Sequence, residues 1–187
     1  MQHPKVAKLL SKIHHSSELL DMLLRIEKST ILPDQMLVRV KQFVQGNKFA
    51  RHSLTIYKAI KYLEERLLDV YYDQQVVCHC DLNHHNWMLS KNGELYLIDW
   101  DNARVGDPAM DIGRILQSCL PKKEGEQWLE HYGMENRRYL MQRMRWYWLV
   151  EEIIGYVWSE NRHRIKEADT HLNELNQLLH QINDWNL

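Results

Sequence analysis

The chain has 187 residues, about the length of one domain, and its 44% hydrophobic and 26% charged residues exclude a disordered or fibrous protein. A net charge of -1 at pH 7 provides no overall attraction to nucleic acid or anionic lipid. The longest strictly apolar run, residues 146–150, is too short to span a bilayer, and the first residues lack an apolar signal segment. We therefore expect a cytoplasmic protein with neither a membrane nor a nucleic-acid partner.

Helices are predicted for the first part of the chain, residues 4–72. Apolar residues recur at helical spacing after Pro4, at Val6, Leu9, Leu10, Ile13, Leu20, Leu23 and Leu24. A second helix is predicted from about Pro33 to Val44, and a third from about Arg51 to Tyr72. The third helix carries one apolar stripe, formed by Leu54, Tyr57, Ile60, Leu63, Leu67 and Val70.

The pattern changes to short β-prone runs at residues 76–78, 87–89 and 95–98. The last two runs flank Asn92-Gly93, which is the strongest short hairpin signal in a sequence. If these two residues are the centre of a type I′ turn, opposed residue numbers sum to 185, and Asn86 lies opposite Asp99. Directly opposed side chains share a face of the ribbon.

The predicted hairpin brings oxygen ligands together at its open end. Asn86 supplies a carboxamide oxygen and Asp99 a carboxylate, while Asp81 lies on the loop that leaves the first strand. Hard divalent cations such as Mg²⁺ take ligands of this kind and often share them with phosphate oxygens. The sequence therefore predicts a magnesium site beside a nucleotide.

Helices are predicted again beyond Pro108, at 109–119, 125–132, 135–160 and 164–183. The last carries an apolar seam of Ile165, Ala168, Leu172, Leu175, Leu179 and Ile182. Packing on its own domain is favoured over pairing with a partner helix, because about two and a half heptads make a weak coiled coil. The predicted fold is one domain over residues 1–187, mainly α, with a catalytic loop and a small β-hairpin at 76–101.

Three segments occur in a fixed order between the helical regions. Residues 79–86 read H-C-D-L-N-H-H-N, residues 98–101 read I-D-W-D, and residues 107–113 read D-P-A-M-D-I-G. In order and spacing they resemble the catalytic and metal-binding segments of the aminoglycoside phosphotransferase and choline kinase superfamily, whose members are protein-kinase-like small-molecule phosphotransferases. Their wording is most similar to the ribosyl kinases linked to cell-cycle control in Gram-positive bacteria.

The resemblance implies a role for each motif residue. Asp81 takes the place of the catalytic aspartate that accepts or orients the proton of the acceptor hydroxyl, and His79 belongs to the same catalytic loop. Asn86 and Asp99 take the places of the two Mg²⁺ ligands, with Asp99 bridging the metal to the phosphates of ATP. The implied acceptor is a hydroxyl on a small molecule, either a sugar such as ribose or an amino alcohol.

Supporting residues and departures follow from the same resemblance. His79 is expected to brace the loop and Asp111 to hold it in place, while Asp101 either adds a metal contact or is simply solvated. The common family loop reads H-G-D-L-H, whereas here Cys80 replaces the glycine and Asn83 the second histidine. Neither change removes an oxygen ligand.

The chain is expected to be a kinase-like C-terminal lobe that lacks the N-terminal β lobe. Only 78 residues precede His79, they are predicted to be helical, and Gly46 is their sole glycine. A complete kinase has a phosphate-covering glycine loop and a strand lysine in this region. The missing lobe, or a protein partner that supplies it, is therefore expected elsewhere, and the isolated chain is expected to show little or no turnover.

Three alternatives remain beside the enzyme. The first is a non-catalytic interaction module that binds a protein through the aromatic stretch at 139–158 or through the C-terminal seam. The second is a zinc site built from Cys78, His79, Cys80 and His84-His85, which is disfavoured because side chains at i and i+2 of a strand point alternately. The third gives the aromatic stretch or His14-His15 a role in substrate binding, although both are more simply explained by packing or solvation.

Overall fold

The computed structural model describes residues 3–26, 30–134 and 137–184. Within these residues the α-helices are α1 (His3–His14), α2 (Ser17–Arg25), α3 (Pro33–Gly46), α4 (Leu54–Glu65), α5 (Ala109–Ser118), α6 (Gly125–Tyr132), α7 (Arg137–Asn161) and α8 (Ile165–Asp184). The strands are β1 (Val76–Cys78), β2 (Trp87–Leu89), β3 (Leu95–Leu97) and β4 (Arg104–Gly106). The prediction of a mainly helical fold with small β elements is confirmed. No helix in the described ranges is both long and apolar enough to cross a bilayer.

The structure changes two of the predicted helices. The first apolar run is divided, because Ser16 caps a new helix by accepting the Leu19 N–H on its hydroxyl at 3.2 Å. The third predicted helix ends at Glu65 and is followed by a 3-10 turn at Leu67–Val70. Both breaks lie within continuous apolar periodicity, so periodicity alone does not reveal them.

The predicted apolar stripe of α4 is only partly the buried face. Leu54 and Tyr57 are 65% and 64% exposed, whereas Ile56, Ala59 and Leu63 are buried. The predicted stripe follows the large apolar side chains, whereas the buried face also includes the small Ala59. Helix α8 packs against α4 and buries its own Ala168 and Leu175, as expected for a seam that packs within the domain.

The chain forms two compact units. One comprises Met1–Ile31 and Tyr72–Met144, and the other Leu32–Tyr71 and Arg145–Leu187. The first unit holds every strand of the described chain and all the predicted site residues. Part of its core is a cluster of Ile13, Leu23, Val77, Ala103 and Val105.

Two antiparallel pairs of strands form the β structure of the described chain. β1 pairs with β4, with Val76 opposite Gly106, and the Val105 carbonyl also accepts the Ile31 N–H at 2.8 Å. The sequence did not predict β4, because its three residues end in glycine and show no alternation. The second pair is the predicted hairpin, β2 and β3.

The predicted hairpin register is wrong by one residue. Trp87 lies opposite Leu97, so opposed numbers sum to 184, and the loop has three residues, 91–93, rather than two. Gly93 has a φ of +78°, and its N–H donates to the Ser90 carbonyl at 3.0 Å. A type I′ turn needs positive φ at both central residues, and Asn92 does not adopt it. Asn86 therefore lies opposite Ile98 and not Asp99.

Candidate active site

Asp111 clamps the start of the loop that follows β1. It lies in the first turn of α5 and is 1% exposed. Its Oδ2 accepts the His79 N–H at 2.7 Å, and its Oδ1 accepts the Cys80 N–H at 2.9 Å. Two backbone donors are thus satisfied by one buried carboxylate, and the chain direction is set just before Asp81.

Two side-chain amides surround Asp81. The Asn83 Nδ2 donates to Asp81 Oδ1 at 2.9 Å, and the Asn86 Nδ2 donates to the Asp81 backbone carbonyl at 2.8 Å. Asp81 Oδ2 makes no hydrogen bond with any residue that the structure describes. The half-buried carboxylate therefore has one oxygen held and one available to accept a proton.

The residue before Asp99 is fixed at both of its backbone polar groups. The Ile98 N–H donates to the Asn86 carbonyl at 2.9 Å, and the Ile98 carbonyl accepts the His79 Nε2–H at 2.9 Å. Asp99 then adopts a φ of +64°, in the left-handed region, with an exposed side chain. Such a conformation costs a non-glycine residue of order 1–3 kcal/mol and is often found at functional sites.

His79 acts on the site through Ile98. It is fully buried, and its ring lies edge-on to Trp100 with centroids 4.8 Å apart. Its Nε2 donates to the Ile98 carbonyl, and its Nδ1 has no hydrogen-bond partner within the described chain. His79 thus links the loop of Asp81 to the segment of Asp99.

Cys80 has a strained backbone conformation, whereas Asp101 lies on the surface. Cys80 has a φ of +61°, which explains why glycine is common at this loop position in the family it resembles. Asp101 is exposed in the turn after Trp100, and its backbone carbonyl accepts a long 3.5 Å hydrogen bond from Arg104 Nη1. The described carboxylates of Asp81, Asp99 and Asp101 do not form a compact three-ligand group.

A different cluster brings potential metal ligands together. In the described part of the chain, atoms of His14, Cys78 and Asp111 lie within 4.8 Å of one another, all buried. Each group is already hydrogen-bonded, with the Cys78 thiol donating to the Asp107 carbonyl at 3.3 Å. Burial, reinforced by Asp111, raises the pKa of that thiol well above its ordinary value of 9.0. Of the residues in the predicted zinc alternative, only Cys78 belongs to this cluster, so the described chain does not assemble that site.

Arg143 is a buried site-region residue that the sequence did not single out. It donates to Asp107 Oδ2 at 2.7 Å, and its guanidinium lies over the Tyr72 ring at 4.0 Å. Asp107 Oδ1 accepts the Ala109 N–H at 2.8 Å and so begins α5, the helix that carries Asp111. Nothing in the spacing of these residues along the chain predicts the pairing.

The aromatic stretch is mostly core, as the packing interpretation predicted. Trp146, Tyr147 and Tyr156 are buried, and Trp146 Nε1 donates to the Leu63 carbonyl at 3.0 Å. Trp158 is exposed, but the guanidinium groups of Arg162 and Arg164 lie 3.9 and 4.8 Å from its ring centroid.

A loop aspartate held by amides, on a loop that His79 links to the segment of a strained aspartate after a hairpin, is an arrangement typical of kinase-like phosphotransferases. Residues 3–147 match the phosphotransferase enzyme family, and the chain belongs to this family.

Two solved structures and one curated protein are similar to this chain. Choline kinase LicA from Streptococcus pneumoniae has a TM-score of 0.73 and 24% identity over 96% of this chain and 63% of its own. Spectinomycin phosphotransferase, in complex with ADP and spectinomycin, has a TM-score of 0.68 and 19% identity over 95% of this chain and 64% of its own. Protein LicA of Haemophilus influenzae is 26% identical over 91 residues, 44% of this chain and 34% of that protein.

These likenesses confirm the kinase-like fold. The chain spans less than two thirds of the length of each of these relatives.

Proposed function

We propose that this chain is the C-terminal lobe of an ATP- and Mg²⁺-dependent phosphotransferase that acts on a hydroxyl of a small molecule. The observation that carries the proposal is the geometry of Asp81. One carboxylate oxygen is held by Asn83, and the loop is clamped on its N-terminal side by Asp111. Both compact units are assigned to this one lobe, over residues 1–187.

Asp81 is the residue that would orient the acceptor hydroxyl and take its proton. Phosphoryl transfer needs little covalent help from the protein, so positioning and charge neutralisation dominate catalysis. A positioned base contributes roughly 10²–10⁴-fold to the rate. The held Oδ1 restricts rotation of the carboxylate, which leaves Oδ2 in a defined direction.

Asn86 and Asp99 are the residues that would hold Mg²⁺. The Asn86 Nδ2 donates to the Asp81 carbonyl, and within the described chain its Oδ1 has no hydrogen-bond partner. Asp99 offers an exposed carboxylate, and both donors are the hard oxygens that Mg²⁺ prefers. When bound, the metal neutralises charge on the transferring phosphoryl group. Asp101, exposed in the turn after Trp100, is a further candidate ligand.

A sugar such as ribose is proposed as the acceptor ahead of an amino alcohol. The loop wording resembles that of ribosyl kinases, and the structural relatives include a spectinomycin phosphotransferase as well as a choline kinase. A cationic amino alcohol would need open aromatic faces. In the aromatic stretch, Trp146, Tyr147 and Tyr156 are buried and two arginines cover Trp158, whereas Tyr139 is exposed.

The proposed enzyme needs a nucleotide-binding lobe in addition to this chain. We expect the 187-residue chain alone, assayed with ATP and Mg²⁺, to show little or no turnover, because none of its described residues forms a phosphate-covering loop of the kinase type. Micromolar ATP affinity with ordinary turnover by this chain would show that the expectation is wrong.

The chemistry is tested in the complete protein by removing the two carboxylates one at a time. Asp81→Asn and Asp99→Asn should each lower the rate of phosphoryl transfer by at least about 10²-fold, as expected for a positioned base and for a metal ligand. Asp73→Asn, at an exposed position before β1, is the matched control and should retain activity. Rates near the wild-type value in both site variants would refute the assignment.

The alternative of a non-catalytic interaction module keeps part of its two candidate surfaces. The seam of α8 buries Ala168 and Leu175 against its own unit, but Ile165 of the seam and Tyr139 of the aromatic stretch are exposed. The same assay distinguishes the two, since a module of this kind would transfer no phosphate even with the missing lobe present.

A further inference from the structure

The clamp on the catalytic loop continues beyond Asp111 into two other helices. We propose that His14 of α1 and Tyr132 of α6 are positioning residues, which hold the Asp111 carboxylate in the orientation that sets the loop of Asp81. The inference rests on the proposed function, because it gives these residues a role in that reaction.

The connection is a continuous set of short contacts. The Tyr132 hydroxyl lies 2.7 Å from His14 Nδ1, and His14 Nε2 lies 3.1 Å from Asp111 Oδ2. Asp111 in turn accepts the N–H groups of His79 and Cys80 at 2.7 and 2.9 Å. His14, Tyr132 and Asp111 are 4%, 4% and 1% exposed, so solvent does not compete for these bonds.

The direction of the hydrogen bonds follows from the donors that are present. Burial raises the pKa of the Tyr132 phenol, so its proton is kept and donated to His14 Nδ1. Asp111 Oδ2 also accepts the His79 N–H, so His14 Nε2 is the donor in its bond to this oxygen. The Tyr132 ring is itself held, since it stacks on Trp128 with centroids 5.7 Å apart.

The backbone of the loop at Cys80 is strained and has to be held in place by other groups. Cys80 has a φ of +61°. A non-glycine residue keeps this strained conformation only where several surrounding contacts hold it. The Asp111 carboxylate bonds to the N–H of this same residue. A rotation of the carboxylate would loosen both loop amides together, and the bond from His14 opposes that rotation. Apolar side chains at positions 14 and 132 would fill the space but would not oppose it.

The first test removes one hydroxyl. Tyr132→Phe keeps the ring stacked on Trp128, and Tyr57→Phe, at an exposed position on α4, is the matched control. NMR would record the amide proton shifts and hydrogen exchange of His79 and Cys80. A kinetic assay of the complete protein would give kcat and the KM for ATP. We expect faster exchange and shifted amide resonances in Tyr132→Phe only. We also expect kcat to fall about fivefold with KM unchanged, the factor that one ordinary hydrogen bond is worth.

The second test asks whether a substitute donor rescues the loop. The side-chain amide of His14→Gln can still donate to Asp111, whereas His14→Leu cannot. We expect the amide shifts and kcat to stay closer to wild type in the glutamine variant. If Tyr132→Phe leaves both amides and kcat at wild-type values, the inference is wrong, whether or not His14→Leu folds. If the wild-type protein transfers no phosphate, the proposed function is wrong, and the amide measurements still decide whether the pair holds the loop.

Discussion

Two side-chain amides, of Asn83 and Asn86, hold the carboxylate and the backbone carbonyl of Asp81. Asn83 stands where the family loop has a second histidine, and its Nδ2 donates to Asp81 Oδ1. Its own Oδ1 accepts the His85 N–H at 2.9 Å, so the same side chain closes the turn that follows. The residue types of the site could be predicted from the motifs. Their hydrogen bonds could not, because each depends on the conformation of the loop.

Cys80 offers a direct test of backbone strain at this scale. A left-handed residue with a Cβ costs roughly 1–2 kcal/mol, whereas glycine costs about 0.5–1 kcal/mol through the entropy of the unfolded chain. We therefore expect Cys80→Gly to raise the free energy of unfolding by about 0.5–1 kcal/mol, measured by urea denaturation.

Cys119→Gly is the control for that substitution. Cys119 has a φ of -116°, where a side chain is tolerated, so glycine there should only destabilise. A loss of stability in Cys80→Gly equal to that in Cys119→Gly would contradict the strain argument.

Among the helices and strands, sequence patterns predict an element's limits well where residues within one turn of the chain determine them. The predicted limits of α5, α6 and α8 and the predicted end of α7 lie within two residues of those observed, since periodicity, Pro108 and Gly133 act within a single turn of helix. The predicted start of α7, at residue 135, lies outside the described residues. The hairpin was found, but its register was not. That register depends on which residue at the turn takes positive φ, and the Ser90 hydroxyl, which accepts the Glu94 N–H at 3.0 Å, supports a three-residue loop.

In helix α7, replacing Gly155 with alanine should destabilise the protein, which is the opposite of the usual effect inside a helix. Ala is normally better than Gly inside a helix by about 1 kcal/mol. At Gly155, however, an added Cβ would overlap the imidazole of His171, which pairs with the buried Glu152 at 2.7 Å. We expect Gly155→Ala to lower the free energy of unfolding by about 1–3 kcal/mol, measured by chemical denaturation.

Two further variants check the cause. Gly46→Ala, at the end of α3 with nothing near the added atom, should be neutral or stabilising. The double variant Gly155→Ala/His171→Ala should be less destabilised than the sum of its two single changes, because the overlap is gone. Strict additivity would show that the imidazole is not the obstacle.

At the scale of the whole molecule, two buried acidic groups link stability to alkaline pH. Burial raises the pKa of both the Cys78 thiol and the Tyr132 phenol. The folded state keeps these groups neutral, while the unfolded chain ionises them at their ordinary values. Their contribution to stability is therefore full below the unfolded pKa and is lost as the pH rises toward the folded one.

We expect the free energy of unfolding to fall as the pH rises above about 9, with a limiting slope of about 1.4 kcal/mol per pH unit for each group. Cys78→Ala should make this decline shallower between pH 9 and 10. Cys119→Ala should do so less, because burial raises the pKa of this less buried thiol by a smaller amount. Identical pH profiles for wild type and Cys78→Ala would contradict the linkage.

Contacts between distant parts of the chain set the limit of sequence-based prediction. His14 meets Asp111, and Asp107 meets Arg143, across long separations in sequence. Neither pair leaves a mark in local periodicity, and the sequence predicts packing, solvation or substrate binding for His14 but not a bond to Asp111. The motifs predict the site residues of the loop, but only the tertiary structure shows the distant residues that hold the loop in place.

The two ends of the β2–β3 ribbon differ in how closely they are tied to the site. Every bond that locates Asp99 lies at the end where Ile98 meets Asn86 and His79, while the tip at 91–93 contacts α1 through Lys5 Nζ and the Gly93 carbonyl. Changes in the length or chemistry of the tip need not propagate to the far end. The tip is accordingly the natural place to attach a fluorescent or paramagnetic reporter that watches the site without disturbing it.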